Sequence, residues 1–162
     1  LLFARQISPR QDPVNVNRLV REVASFFEAR CAQQSIEVRL ELDPNLPAIP
    51  ADEPQVRQIL VNLVVNAIHA MEKGGCLDVA TRQRGKEILV SVRDTGTGIP
   101  DDIQEKIFLP FFTTKEVDQG TGLGLSVVHG IVKSHRGRIK FSSRQGRGTE
   151  FRVYLPAGRN RE

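Results

Sequence analysis

Asn62, Asn66 and His69 recur at helical spacing within QILVNLVVNAIHAM (58–71), and a second set of polar and glycine residues follows in DTGTGIP (94–100), GTGLGLS (120–126) and GRGTEF (146–151). These residue types suit the binding of an anionic ligand. Amide oxygens can ligate a hard cation. Asp94, flanked by Gly96 and Gly98, can accept hydrogen bonds from a ligand amino group where the backbone approaches a flat ring closely. A glycine-rich loop that opens a helix exposes N–H groups and adds partial positive charge, and together these hold phosphate. GTGLGLS is not a Walker A loop, because no Lys-Ser/Thr follows its glycines. It is not G-x-G-x-x-G either, because residue 127 is Val. Alone, each motif has an ordinary structural explanation: a satisfied amide stripe, an Asp-Gly turn, a hinge, and a turn before an edge strand. Together and in this order they describe a nucleotide pocket without a P-loop.

The elements that must position these residues are legible in the hydrophobic periodicity. Asp52 can cap a helix from Glu53 to about Met71, ended by Lys73-Gly74-Gly75. On it Val56, Ile59, Leu60, Leu63, Val64, Ala67, Ile68 and Met71 share one broad face, widened by Val61 and Val65. Gln55, Gln58, Asn62, Asn66 and His69 fall on the narrow remainder, a polar stripe that is costly on a buried helix unless it meets partners. Asn15 or Asn17 can cap an earlier helix to about Gln34, with Leu19, Val23, Phe26 and Phe27 on one face. A further helix is expected from about Gly122 to Ser134.

Period-two alternation marks strands in IEVRLEL (36–42), CLDVAT (76–81), EILVSVRD (87–94), RIKFSS (138–143) and EFRVYL (150–155). In the first of these, Ile36, Val38, Leu40 and Leu42 face one way, and Arg84-Gly85 suggests a hairpin between the next two runs. One polar face per strand means a sheet open to water on one side and covered by helices on the other. The fold class expected is a two-layer α/β (α+β) sandwich: a mixed, mostly antiparallel sheet of about five strands with three main helices on one face. The segment 95–121, with a short helix near 101–107, is too long for an ordinary connection and suits a lid or binding loop. Residues 1–14 are expected to be a preceding helix tail and a linker over 6–14, broken by Pro9 and Pro13. The catalytic unit is expected over 15–156, with a tail over 157–162.

Composition sets the outer limits. A chain of 162 residues with 40% hydrophobic and 26% charged residues is one ordinary globular domain. The net charge of +4 suits an anionic ligand, but with one Tyr, no Trp and no basic–aromatic interleaving no nucleic-acid partner is expected. Arg136, Arg138, Lys140, Arg144 and Arg147 read as a solvated strand edge and turn. Cys31 and Cys76 lack metal-ligand spacing and read as free thiols in a reducing compartment. No apolar run approaches a membrane span, and the start LLFARQISPR lacks signal-peptide organisation.

With IFLPFFTTK (107–115) added, the five segments resemble the N, G1, F, G2 and G3 boxes of the ATP-binding catalytic domain of sensor histidine kinases. That family lies in the gyrase–chaperone–histidine kinase–MutL ATPase superfamily, and the resemblance covers residues 15–156. PFFTTK followed by a short lid most resembles the nitrogen-regulation branch. The resemblance implies ATP and Mg²⁺ as ligands and a Bergerat-type ATP-binding fold. It implies that Asn66 ligates the metal, with Asn62 one turn earlier and His69 facing the phosphates where many members have Lys. Asp94 would accept from the adenine amino group, supported by Thr149, with Gly96, Gly98 and Ile99 lining the base site. Thr114, Lys115, Gly120, Thr121, Gly122, Leu123, Gly124 and Leu125 would hold the nucleotide, Lys115 and the glycine N–H groups contacting phosphate. Phe108, Phe111 and Phe112 would anchor the lid, and Thr95 stands where many members have Asn.

The resemblance further implies phosphoryl transfer to a histidine on a dimerisation and phosphotransfer domain of the same protein, with a response-regulator receiver domain downstream. The full-length protein would be a homodimer, the isolated domain a monomer. The setting would be cytoplasmic, on a parent either soluble or anchored in the inner membrane. The acceptor would lie upstream, and LLFARQ would be the end of its helix, since none of His69, His129 and His135 matches an acceptor motif. Gyrase-type ATPases carry a water-activating Glu where this chain has Asn62. An amide is no general base, so ATP would be held for transfer and not hydrolysed. A catalytically degenerate nucleotide-binding regulatory module is one alternative, and an anti-sigma-type serine kinase is another.

Overall fold

A computed structural model describes residues 9–110 and 124–158. Asn15 caps α1 (Val16–Phe26), its side chain accepting from the Arg18 N–H. Val16, Leu19, Val20 and Val23 are buried on α1. The single helix expected to Gln34 is broken at Phe27, and α2 runs Glu28–Gln33. Phe27 and Cys31 continue the buried i, i+4 series from Val23, so the core contact survives the break. Phe26 falls off that series. It is 79% exposed and meets Phe27 only edge-on, correcting its expected place on the buried face. Asn17, the other candidate cap, is instead buried inside α1. Its Nδ2 donates to the Asp43 carbonyl (2.7 Å) and its Oδ1 accepts from Thr81 Oγ1 (2.7 Å).

The main sheet contains β2 (Ile36–Glu41), β4 (Gly75–Arg84), β5 (Glu87–Asp94), β6 (Arg138–Arg144) and β7 (Gly148–Pro156), in the order β2-β4-β5-β7-β6. Only β2 and β4 pair in parallel, and α3 (Glu53–Ala70) lies in the long crossover that a parallel pair requires. The β4–β5 hairpin closes with Arg84 opposite Glu87, and Gly85 takes a positive φ of 61° in the two-residue turn. Because β2 is an edge, helix cover fades along it: Ile36 is buried, Val38 half-buried and Leu40 40% exposed.

Two short strands were not legible in the alternation. β1 (Asp12–Val14) pairs antiparallel with β3 (Ile49–Ala51), and Val14 and Ile49 are fully buried. The linker expected over 6–14 therefore gives way to packed structure by residue 12. Pro13 faces Pro50 across the pair, where neither can donate, and such prolines hide a strand from sequence reading.

α3 forms as its sequence dictates. Asp52 accepts from the Gln55 N–H at its start, and Gly74, at φ 91°, turns the chain beyond its end. All eight residues assigned to its broad face are buried. With α4 (Gly124–Ser134) it covers the inner face of the sheet, opposite the outward row of Arg93, Arg152 and Lys140. Arg138 of that outer face pairs with Glu87 and covers the Tyr154 ring, so the late basic residues form a solvated edge. Among the described residues no helix is long and apolar enough to cross a membrane.

Candidate functional site

Strand alternation fixes where Asp94 points. On β5 Ile88, Val90 and Val92 face the core, and Asp94 is the next inward position, 4% exposed at the strand end. On β7 the inward series Leu155, Val153 and Phe151 ends likewise at Thr149, 6% exposed. Register sets Asp94 opposite Thr149 and Thr149 opposite Ser143, so the apolar inner face terminates in a polar row across three strands. Thr149 Oγ1 lies 2.7 Å from Ser143 Oγ. Ser143 is a site residue that sequence reading missed. It sits in an ordinary alternating run, and only the register with Thr149 betrays it.

The loop after β5 is clamped on three sides. Asp94 Oδ1 accepts from the Gly96 N–H (2.8 Å), and the Thr97 N–H donates to the Ala70 carbonyl at the end of α3 (3.1 Å). The Gly146 N–H donates to the Thr97 carbonyl (2.7 Å), and the Ile99 N–H to Ser143 Oγ (2.7 Å). Gln104, on a 3-10 turn over Asp101–Lys106, holds the Ile99 carbonyl. Thr95 accepts from the Cys76 N–H, so the hydroxyl at this position has a structural task. Gly96 and Gly98 do permit a close approach, but to protein: a Cβ would lie 2.3 Å from the Ala70 oxygen and 2.2 Å from the Arg144 oxygen respectively. Docking of the loop against protein is by itself reason for glycine at both positions.

Gly148, beside Thr149, is held at φ 115°, and an added Cβ would lie 2.1 Å from the Asp94 carbonyl oxygen. Gly146, at φ 85°, has open space around it. Both alanine substitutions carry the backbone strain of roughly 1–3 kcal/mol, but only Gly148→Ala also displaces Asp94. The expected result is a larger fall in melting temperature for Gly148→Ala, at roughly 2–4 °C per kcal/mol. Equal melting temperatures for the two variants would show that the close approach at Gly148 is immaterial.

The opposite wall is the polar stripe of α3. Asn66 lies one turn before Ala70, the residue on which the loop docks, and its amide has no hydrogen-bond partner among the described residues. Asn62, a turn earlier, is engaged: its Nδ2 donates to the Gly124 carbonyl (3.1 Å) and its Oδ1 accepts from Gln58 (2.6 Å). Asn62 thereby ties α3 to the first turn of α4. The far ends of these helices are joined as well. His135 Nε2 accepts from the Asp52 N–H (3.1 Å), which leaves the proton on Nδ1 to donate to the Ile131 carbonyl (2.9 Å). His69 sits half-buried in the last turn of α3. Phe108 packs against His129 on α4 and meets Phe141 and Phe151 edge-on, which anchors the residues that follow the 3-10 turn. Leu125 packs against the core. Phe111, Phe112, Thr114, Lys115, Gly120, Thr121, Gly122 and Leu123 lie outside the described residues.

The donor set decides which groups suit this site. Among the described residues no three His, Cys, Asp or Glu cluster as a protein-only metal site. The Asn66 amide, without a hydrogen-bond partner among the described residues, suits a hard cation that brings phosphate oxygens and water as its other ligands. Cys31 and Cys76 are free, and burial pushes both thiols up, with Asp78 adding to the effect at Cys76, so neither is an activated nucleophile. A pocket on the far side of α3, lined by Val20, Val23, Phe27, Cys31, Leu60 and Leu77 among others, is apolar and offers phosphate nothing.

Residues 51–159 match the family described as histidine kinase-, DNA gyrase B-, and HSP90-like ATPase. Sensor kinase CckA of Brucella abortus (strain 2308) is 39% identical over 96% of this chain, which spans 18% of that relative's length. The catalytic domain of histidine kinase ThkA superposes with a TM-score of 0.81 at 37% identity, covering 91% of this chain and 95% of that one. ThkA has also been solved in complex with a response regulator protein, TrrA, at 31% identity and a TM-score of 0.81, over 97% of this chain and 45% of that one. Full-length ShkA in complex with AMPPNP gives a TM-score of 0.82 at 32% identity, covering 94% of this chain and 32% of that one. The match over residues 51–159 and the fold shared with a solved histidine kinase catalytic domain show that this chain belongs to the histidine kinase-, DNA gyrase B-, and HSP90-like ATPase family.

Proposed function

We propose that this chain is the ATP-binding catalytic domain of a sensor histidine kinase, presenting Mg·ATP to a histidine on a separate dimerisation domain. The observation that carries this reading is the pairing of two walls. The buried polar row of Asp94 and Thr149 suits an adenine edge, and the Asn66 amide, without a hydrogen-bond partner among the described residues, lies one turn back along α3 from the loop that follows Asp94. The nucleotide supplies the phosphoryl group and Mg²⁺ screens its charge. The chain's part is to bind, align and exclude water, which is where most of the catalysis of phosphoryl transfer lies. Asp94 accepts from the base, and Asn66 orients the metal-bound phosphates. Asn62 holds the start of α4 in place and, being an amide, abstracts no proton from water. The complexes of ShkA with AMPPNP and of ThkA with TrrA support a nucleotide ligand and a response-regulator partner. Asp94, Asn66, the 120–125 segment and Thr149 are the residues we assign to nucleotide.

The test is a calorimetric titration of the 162-residue chain with ATP, with and without Mg²⁺. Saturable binding that weakens about tenfold, roughly 1.4 kcal/mol, when the metal is chelated is expected, since the cation offsets the phosphate charge. Absence of binding, or binding indifferent to the metal, would refute the assignment.

A further inference from the structure

Strand β2 ends the sheet, and among the described residues no strand pairs with its outer edge. Apolar side chains stand there uncovered: Val38 is half-buried and Leu40 40% exposed. The ladder to β4 fixes which backbone groups point outward. The Gly75 N–H donates to the Ser35 carbonyl (3.2 Å), and bonding residues alternate along a parallel strand. Glu37, Arg39 and Glu41 therefore turn their peptide groups toward β4, and Ile36, Val38 and Leu40 turn theirs toward the open edge. An edge of this kind is a template for another strand, and charge decides which strand it accepts. Glu37 and Arg39, bonded to each other at 2.7 Å, have side chains 65% and 62% exposed, so they meet whatever approaches.

We infer that this edge docks a second copy of the same chain, antiparallel, with Val38 on the two-fold axis. Val38 then exchanges both backbone bonds with its own copy, and Ile36 does so with Leu40 on either side. Between them Glu37 faces Arg39 twice, at the non-hydrogen-bonded positions where side chains lie closest. Neighbouring registers are mismatched. Moving one strand by two residues sets Glu37 against Glu37, or Arg39 against Arg39 with Glu37 against Glu41. Centring on Leu40 pairs Arg39 with Glu41 but sets Glu37 against Asp43. Odd shifts put outward peptide groups opposite inward ones and form no ladder. The charges of β2 thus disfavour every register but one, and the strand that matches is β2 itself. The pairing covers Leu40 with Ile36 and joins two five-stranded sheets into one. A strand of six residues buries too little surface for a stable dimer, so the contact is transient and the dilute chain monomeric. A tether that brings two copies together populates it by raising their effective concentration. β2 lies two strands from Asp94, so the contact is independent of the nucleotide reading.

The experiment is thiol trapping in the 162-residue chain carrying Cys31→Ala and Cys76→Ala. Val38→Cys places one thiol from each copy beside the axis, within disulfide reach, whereas Leu40→Cys places its two thiols apart, each opposite Ile36. Leu40 is the more exposed position, so random collision favours it. Val38→Cys is expected to form the intermolecular disulfide about tenfold faster than Leu40→Cys, and adding Arg39→Glu should slow it by about as much, because two attractive pairs become repulsive. Glu37→Arg combined with Arg39→Glu exchanges the charges and should restore the rate. Equal rates for Val38→Cys and Leu40→Cys, indifference to Arg39→Glu, or no recovery on charge exchange would overturn the inference. Should thermal unfolding show the cysteine variants to be unfolded, sedimentation of the unsubstituted chain across a dilution series decides. Association that Arg39→Glu abolishes supports the inference. Association indifferent to Arg39→Glu, or a chain monomeric at every concentration, overturns it.

Discussion

Asp94→Asn is expected to abolish ATP binding and leave the fold intact. The substitution keeps the size and one acceptor oxygen, so the bond that Asp94 Oδ1 accepts from the Gly96 N–H can persist. What changes is the second atom. A carboxylate oxygen that accepts becomes an amino group that donates, and it then confronts the adenine amino group, which also donates. Asp94 is 4% exposed, so water cannot intervene freely and the mismatch is borne in full. Losing a charge-assisted bond and leaving a buried donor unpaired costs about 3 kcal/mol, or roughly a hundredfold in affinity. The core series Ile88, Val90 and Val92 does not involve the carboxylate, so the melting temperature should hold within a few degrees. An unchanged dissociation constant for ATP in a calorimetric titration would remove Asp94 from the base site.

The parts of this molecule that obey a strong period were legible in its sequence. The α3 face from Val56 to Met71 and the five main strands follow from repeats near 3.6 and 2 residues, because burial enforces those repeats at every position. The caps Asp52 and Asn15 follow from local chemistry that no tertiary contact overrides. What escaped depends on partners distant in sequence. β1 and β3 are three residues each, and both carry a proline at the centre of the pair. The break at Phe27 is set by which of two adjacent phenylalanines reaches the core. Asn17 has cap chemistry but finds Asp43 and Thr81 instead, 26 and 64 residues away.

The site divides in the same way. Asp94 and Asn66 stood out as candidates because a carboxylate and an amide at those places are expensive unless used. Ser143 was not, since serine in an alternating strand is unremarkable until Thr149 and Ile99 are known to lie beside it. The crowding of Gly96 against Ala70 and of Gly98 against Arg144 was not legible either, because those partners lie distant in sequence.

This chain should bind Mg·ATP yet neither label itself nor hydrolyse the nucleotide appreciably. Each of its three histidines is committed elsewhere. His135 is buried, with one ring nitrogen accepting from Asp52 and the other donating to Ile131, so no lone pair is free to attack phosphorus. His129 packs on Phe108, and His69 is held in the last turn of α3. Asn62 spends its amide on Gly124 and Gln58 and has no basicity to activate water. Supplying a separate dimerisation domain with an exposed acceptor histidine should restore transfer in trans, because alignment of an imidazole with the γ-phosphate is the missing ingredient and is worth several kcal/mol of the barrier, about 7–11 in well-oriented cases. In that mixture Asn66→Ala should reduce the transfer rate on the order of 10²-fold, since it deletes the amide proposed to orient the metal-bound phosphates. Its stability should change little, because the Asn66 side chain makes no hydrogen bond to the described residues and is only half-buried. Radiolabelled ATP with acid and base quenches reads out both results. Acid-labile label on His69, His129 or His135 of the isolated chain would show that the acceptor lies within it. Transfer by Asn66→Ala at the unsubstituted rate would show that the metal is oriented by other groups.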